Sequence, residues 1–219
     1  MKSIAIIPAR GDSKRLVNKN IKLLGGIPLL VYSINYAKQV DFIEAVYVTT
    51  DDDAIKLVAL EYGAIVVDRP QELSGDLEPT VSALKHVLET LDYEVENVVL
   101  LQATNPLRPE NLLNEAFQIY KKNNCDSLFT VTRNYQKFGK IKNAKYHPFN
   151  YKIGQRSQDL EPLYFENGLL YITKAIHILN NKIITESAFP LIVNHPFASV
   201  DIDTQEDFDF AEFMLEIKM

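Results

Sequence analysis

The chain has 219 residues, 47% hydrophobic and 24% charged, with a formal net charge of −6. That length suits one domain that buries a core without a disulfide or metal staple, and the single cysteine, Cys125, leaves no intrachain disulfide to form. The acidic balance argues against general nucleic-acid binding, no apolar run approaches the ~18 residues of a membrane span, and Met1 to Pro8 lacks the apolar core and cleavage site of a signal peptide, so a cytoplasmic protein without membrane contact is expected.

Apolar and amphipathic stretches alternate along the first two thirds of the chain. "SIAIIPA" reads as a buried strand and "PLLVYSINYAKQ" as a helix opened by Pro28. "AVYVTT" is β-branched and aromatic, hence a strand. "DDDAIKLVALEYG" follows as a helix, with acids suited to its N-terminus and Gly63 to its stop. "AIVVD", "NVVLLQA" and "SLFTVT" are further strands, separated by the helical patterns "PTVSALKHVLETL" and "RPENLLNEAFQIYKKNN". Repeated β-α units predict an α/β fold: a three-layer sandwich of Rossmann-like type with a mostly parallel central sheet, whose ligand sits beyond the carboxyl ends of the strands.

The alternation breaks after Thr132. Residues 133–166 are polar, Tyr-rich and irregular, too long for a plain connection, and read as a small insertion of short strands forming a lid or a subunit contact. The expected organisation is one domain over residues 1–219 with that insertion. "GLLYIT" then returns as a strand after an Asn167-Gly168 turn signal, and "TQEDFDFAEFMLEIK" closes the chain as an amphipathic helix.

Four stretches can carry chemistry. The first follows strand one: "ARGDSKRLVNKNIK" holds five basic side chains, Arg10, Lys14, Arg15, Lys19 and Lys22, against one acid, Asp12. Gly11 and Ser13 suit a tight anion-binding turn, Arg10 can fork onto phosphate oxygens, and Lys14 supplies a point charge. The competing reading is a solvated basic turn. Neither G-x-x-x-x-G-K-[ST] nor G-x-G-x-x-G occurs, so this is no Walker loop and no dinucleotide fingerprint. The second is "SVDIDTQEDF": Asp201 and Asp203 share a face on an extended strand and can hold one divalent ion such as Mg²⁺, while Thr204 with Asp207 resembles a capping box; the two readings are compatible.

The third is "LLQATNPLRPEN", where Gln102 ends an apolar strand at the carboxyl edge and can hydrogen-bond a sugar or base; Arg108 holds either a phosphate or carboxylate, or structure. The fourth is "GQRSQDLEPLYFENGLLYIT", where Arg156 can bind a carboxylate bidentately or simply lie exposed.

"IIPARGDSKRLVNKN", "VTTDDDAI", "DRPQELSGD", "LLQATNPLR", "RSQDLEPLYFENGLLYI" and "VDIDTQEDF" occur in one order over nearly the whole chain. In that order they resemble the acylneuraminate cytidylyltransferases, the CMP-sialic acid synthetase family with its relatives for other nine-carbon keto-sugar acids. The resemblance implies that CTP and a nonulosonic acid give a CMP-sugar and pyrophosphate with Mg²⁺, in a homodimer. It assigns Arg10, Ser13, Lys14 and Lys19 to the triphosphate and Asn20 to the vicinity of the nucleotide. Arg69 and Thr80 fall to the cytosine and ribose, and Gln102, Arg156, Gln158 and Asn167 to the sugar. Asp201 and Asp203 become the metal pair, with Arg10, Lys14 and Asp203 the expected catalytic groups. Departures are Asp12, where a glycine is common, and Asn105, where a serine is common and an added hydrogen bond is expected. Competing readings are an enzyme for another keto-sugar acid such as 3-deoxy-octulosonate, and a non-catalytic nucleotide- or sugar-binding module.

Overall fold

In the computed structural model, which describes residues 2–218, the sheet predicted from the β-α alternation is present as seven strands. β1 (Ser3–Pro8) lies inside it. β4 (Ile43–Thr50) and β5 (Ile65–Asp68) follow on one side; β6 (Asn97–Leu100), β10 (Leu163–Lys174), β7 (Ser127–Asn134) and β11 (Phe189–Ile192) follow on the other. Only β10 runs antiparallel to its neighbours. The chain thus builds outward from β1 through β4 to β5, then crosses back to β6. That reversal opens a crevice at the carboxyl ends of β1 and β6, the place where such sheets take ligands.

Strand pleat explains the layering. On β1, Ala5 and Ile7 point to one face, where they join Val48, Val99 and Leu101 under α1 (Leu29–Lys38), α2 (Asp53–Glu61) and α4 (Leu112–Lys122). Ile4 and Ile6 point to the other face, beneath α3 (Thr80–Thr90) and α5 (Ala175–Leu179). All four are fully buried, and each isoleucine contributes roughly 2–3 kcal/mol of burial. A third apolar cluster sits at one end and fixes the site: Leu16 of the basic loop packs with Val200, Ile202 and Phe208, so the loop after β1 and the start of α6 (Gln205–Lys218) share one anchor.

Several local details differ from the sequence reading. Pro28 caps α1 rather than opening it. Asn167-Gly168 is not a turn before a strand but a bulge inside the twelve-residue β10, with Gly168 at φ +75° and the pairing to β7 shifting between Glu166 and Tyr171. Short elements without a clear apolar period, β11, α5 and the hairpin of β2 (Leu23–Leu24) with β3 (Ile27–Pro28), were not foreseen. Within 133–166 the chain forms the antiparallel hairpin of β8 (Gly139–Lys142) and β9 (Lys145–Pro148), turned by Asn143 and Ala144, both at positive φ. No helix among the described residues is long and apolar enough to cross a membrane.

Candidate active site

The crevice is a cleft of about 530 Å³, walled by the loop after β1, by residues 69–80 and by the loop after β6. Four of the five basic side chains of the first loop line it: Arg10, Lys14, Arg15 and Lys19. The fifth, Lys22, lies over the ring of Phe208 instead, 4.9 Å from its centroid. Gly11 is required for packing: a methyl there would come within 2.7 Å of Asp52, and its N–H donates to Asp51 Oδ1 at 3.0 Å. Asn20 is buried and donates to the Arg10 carbonyl at 2.9 Å, so it fixes the loop that carries the cations while also reaching the cleft wall. Ser13 and Thr80 also line the wall, Thr80 as the first residue of α3. Asp12, the acid that ran against an anion-binding role, is exposed to solvent and absent from the wall.

The cations are held by two carboxylates. Asp76 takes Arg10 Nη1 at 2.8 Å on one oxygen and the Lys14 ammonium on the other. Asp203 takes Lys19 Nζ at 2.8 Å and Arg15 Nη2 at 2.6 Å. The Lys14 hydrogen bond holds the Asp76 carboxyl below the usual carboxylate range. For Asp203, burial opposes ionisation, but Lys19 and Arg15 outweigh it and its pKa is lowered. Asp201 goes the other way: burial raises it, Asp203 adds to the rise, and the Thr104 hydroxyl opposes it.

Asp203 lines the cleft, while Asp201, two residues earlier, lies off its wall; the segment carrying both is tied to the loop after β6. Ile202 N–H donates to the Thr104 carbonyl at 2.8 Å, and Asn105 Nδ2 donates to the carbonyls of Val200 at 2.9 Å and Asn167 at 3.2 Å. The capping box forms with Asp at its third position: Asp207 Oδ2 accepts from the Thr204 and Asp203 N–H groups, and Asp207 N–H donates to Thr204 Oγ1. No group of three or more His, Cys, Asp or Glu able to hold a metal is present among the described residues.

Arg69 is buried in the wall, with Nε on Thr49 Oγ1 at 3.3 Å and Nη2 on the Thr49 carbonyl at 2.6 Å. Gln102 lines the cleft beside Tyr171, whose hydroxyl, pushed up to about 12 chiefly by burial, lies 3.5 Å from Glu166 Oε2. Asp76 and Tyr171 both fall inside stretches that carry the family resemblance, "DRPQELSGD" and "RSQDLEPLYFENGLLYI", but neither is among the site residues expected from the sequence.

Three expected sugar ligands lie elsewhere. Asn167 is buried with its amide engaged, accepting from Thr130 Oγ1 at 2.6 Å and the Leu169 N–H at 3.1 Å and donating to Thr132 Oγ1 at 3.0 Å; it shapes the β10 bulge rather than facing a ligand. Arg156 is exposed and forks onto Asp159, and Gln158 is exposed beside it; neither lines the cleft. Arg108 is structural: it donates to the carbonyls of Leu169 at 2.7 Å and Gln102 at 2.8 Å and to Ser33 Oγ at 3.0 Å, with its pKa lowered to about 10 by burial.

Known proteins are similar to this chain in sequence and in fold. The cytidylyltransferase family model matches residues 4–218. N-acylneuraminate cytidylyltransferase of Streptococcus agalactiae is 33% identical over 95% of this chain, which spans about half (52%) of that protein's length. Pseudaminic acid cytidylyltransferase of Campylobacter jejuni is 32% identical, and CMP-N,N'-diacetyllegionaminic acid synthase of Legionella pneumophila 33%, each over 99% of this chain and 97% of its own. The fold matches CMP:2-keto-3-deoxy-manno-octonic acid synthetase complexed with CTP at a TM-score of 0.75 over the full length of both chains, with 15% identity. By sequence over nearly its whole length, this chain belongs to the cytidylyltransferase family.

Proposed function

We propose that this protein transfers CMP from CTP to a nonulosonic, sialic-type acid, releasing pyrophosphate. One observation carries the reading: Arg10, Lys14, Arg15 and Lys19 converge on a single cleft together with Asp203, whose carboxylate takes Lys19 and Arg15. A triphosphate needs that density of positive charge, and a solvated basic turn does not need a cleft. The names of the relatives support the choice of CTP and of a nine-carbon keto-sugar acid.

In this reaction the anomeric hydroxyl oxygen attacks the α-phosphorus. A new phosphorus–oxygen bond forms, the bond from the α-phosphorus to the bridging oxygen breaks, and its electron pair leaves with pyrophosphate. The hydroxyl proton is lost toward the Asp201/Asp203 edge. Little covalent chemistry is asked of the protein; catalysis is positioning and charge neutralisation. Arg10, Ser13, Lys14 and Lys19 hold the phosphates, Asn20 and Arg69 with Thr80 take the nucleoside side, and Gln102 with Tyr171 meets the sugar.

Asp201 and Asp203 are the residues that would hold Mg²⁺. They offer hard oxygen donors and only two carboxylates, which matches an ion that leaves its other positions to phosphates and water; Asp203 would give up Arg15 or Lys19, which hold its two oxygens, to take it. When bound, the ion supplies charge neutralisation at the phosphates.

The arm at 133–166 supports a homodimer. Phe138, Ile141, Tyr146, Phe149 and Ile153 are all exposed there, Ile153 at 85%, a density of apolar surface that suits a subunit contact. Arg156 and Gln158 lie on the same segment, and across a dimer they would serve the partner's sugar site. The testing experiment is pyrophosphate release from CTP with a panel of nonulosonic acids. Release with at least one member is expected; release with none overturns the reading.

A further inference from the structure

Asp76 is exposed by only 37% of its side chain, yet both of its oxygens are spent on cations of the phosphate wall, Arg10 and Lys14. A carboxylate that takes one cation on each oxygen is doing what two oxygens of a phosphate would do. The segment carrying it is pinned at both ends, and between them Glu78 N–H donates to the Gly75 carbonyl at 3.2 Å, closing a turn with Asp76 and Leu77 at its tip. Ser74 is buried and its hydroxyl donates to the Pro70 carbonyl at 3.1 Å; α3 begins at Thr80; Leu77, next to Asp76, is 97% exposed. Gly75, Asp76 and Glu78 all face the cleft.

We propose that Asp76 is a resident stand-in for a substrate phosphate: it holds Arg10 and Lys14 in place while the cleft is empty, is displaced by the triphosphate, and competes with pyrophosphate for the same cations after transfer. This rests on the nucleotidyl-transfer reading and adds a positioning residue to it.

The consequence has a sign. Arg10 and Lys14 repel one another, and the hydrogen bond to Asp76 raises the Lys14 pKa against that repulsion. Without an anion between them, two long side chains would lose their common geometry, and ordering them again on binding opposes affinity. Against that, Asp76 puts one full negative charge where the ligand's charge must go. Counting the four cations against Asp76 and Asp203 leaves a net +2 facing the ligand, which removal of Asp76 raises to +3. A unit charge at a partly solvated site of this kind shifts affinity for a polyanion by about three- to tenfold, and an asparagine there removes the whole charge but, keeping one acceptor oxygen, gives up only part of the ordering. Asp76 therefore loosens the product it helps to receive.

The test is calorimetric titration of the whole chain with inorganic pyrophosphate, which needs no knowledge of the sugar. Asp76→Asn is expected to bind pyrophosphate about three- to tenfold more tightly than the parent. Asp76→Glu, which keeps the charge, is expected to bind like the parent. The gain in Asp76→Asn is expected to shrink at high salt, since exposed charges are screened. A merely structural role for Asp76 would weaken binding in both variants. Unchanged or weaker binding in Asp76→Asn, with a parent that does bind pyrophosphate, overturns the stand-in. A parent that binds neither pyrophosphate nor CTP overturns the nucleotidyl-transfer reading itself, and the stand-in with it.

Discussion

Lys19 Nζ lies 2.8 Å from Asp203 Oδ1, although 184 residues separate them in the chain. Arg15 takes the other oxygen of the same carboxylate. The pair joins the loop after β1 to the turn before α6, so the cations and the proposed metal acids form one electrostatic unit. Cutting it should damage the chemistry more than the fold. Asp203→Asn is expected to lower pyrophosphate release from CTP by about 10²–10³ at saturating Mg²⁺, the range for removing one preorganised charged group from a transition state. Stopped activity on chelation and its return with added Mg²⁺ are expected in the parent. Full turnover in Asp203→Asn would remove that residue from the mechanism.

Arginines 10 and 108 should separate function from stability. Arg108 is 4% exposed, and removing it strands the Leu169 carbonyl and leaves the Gln102 carbonyl with the Ser33 hydroxyl as its side-chain donor. Arg108→Met is expected to destabilise the chain by about 3 kcal/mol, read as a lower urea midpoint. Arg10→Met, at a half-exposed position paired only with Asp76, should leave the midpoint within about 0.5 kcal/mol and lose CTP turnover. A variant Arg108→Met as stable as the parent would show that the buried hydrogen bonds contribute nothing net.

How much of this was legible before any coordinates follows from the same residues. The parallel sheet was visible because strands buried on both faces read as unbroken apolar runs, and the basic loop and Asp201/Asp203 stood out because charge at a strand end is conspicuous. Roles that depend on what a side chain meets across the sheet were not legible. Arg108 and Asn167 have the chemistry of ligands, and only the carbonyls and hydroxyls around them reveal that this chemistry is used internally. Lys22 shares a loop with four cleft cations, yet Phe208 draws it away. Asp76 ends the stretch "DRPQELSGD", yet its role is not legible there, because it depends on Arg10 and Lys14 arriving from 62 or more residues away. The Asn167-Gly168 pair carries a turn signal that is locally correct, since Gly168 does adopt positive φ, but two flanking strands absorb it as a bulge.

That bulge yields a sharper prediction. Gly168 sits at φ +75°, and a methyl there would come within 2.6 Å of Asn105 Oδ1, the residue whose amide also holds Val200 beside the proposed metal segment. Gly168→Ala is expected to cost about 1–3 kcal/mol of backbone strain and to displace Asn105. Because that displacement passes to Asp201 and Asp203, the variant should need more Mg²⁺ for half-maximal activity, whereas Gly26→Ala, at φ +82° with nothing within 4 Å of the new methyl, should pay only the strain. Equal Mg²⁺ requirements in the two variants would refute the coupling through Asn105.

The arm at 133–166 makes the last prediction. Phe149 is 68% exposed and Tyr146 51%, on or beside the β8–β9 hairpin, so replacing either with a charge leaves the chain's own core untouched. A subunit contact through this face predicts a parent that elutes, with light-scattering detection, at twice the 25.0 kDa of one chain. Phe149→Glu with Tyr146→Glu should then yield single chains that still unfold in one cooperative transition, at a urea midpoint that, unlike the parent's, does not depend on protein concentration, because a buried charge in a desolvated contact costs far more than one in water. If Arg156 serves the partner's site, those single chains should also show a raised KM for the sugar acid and an unchanged KM for CTP, since the nucleotide wall of Arg10, Lys14 and Arg69 lies within one chain. A parent of 25.0 kDa with full activity would deny the contact and leave Arg156 without a sugar to bind.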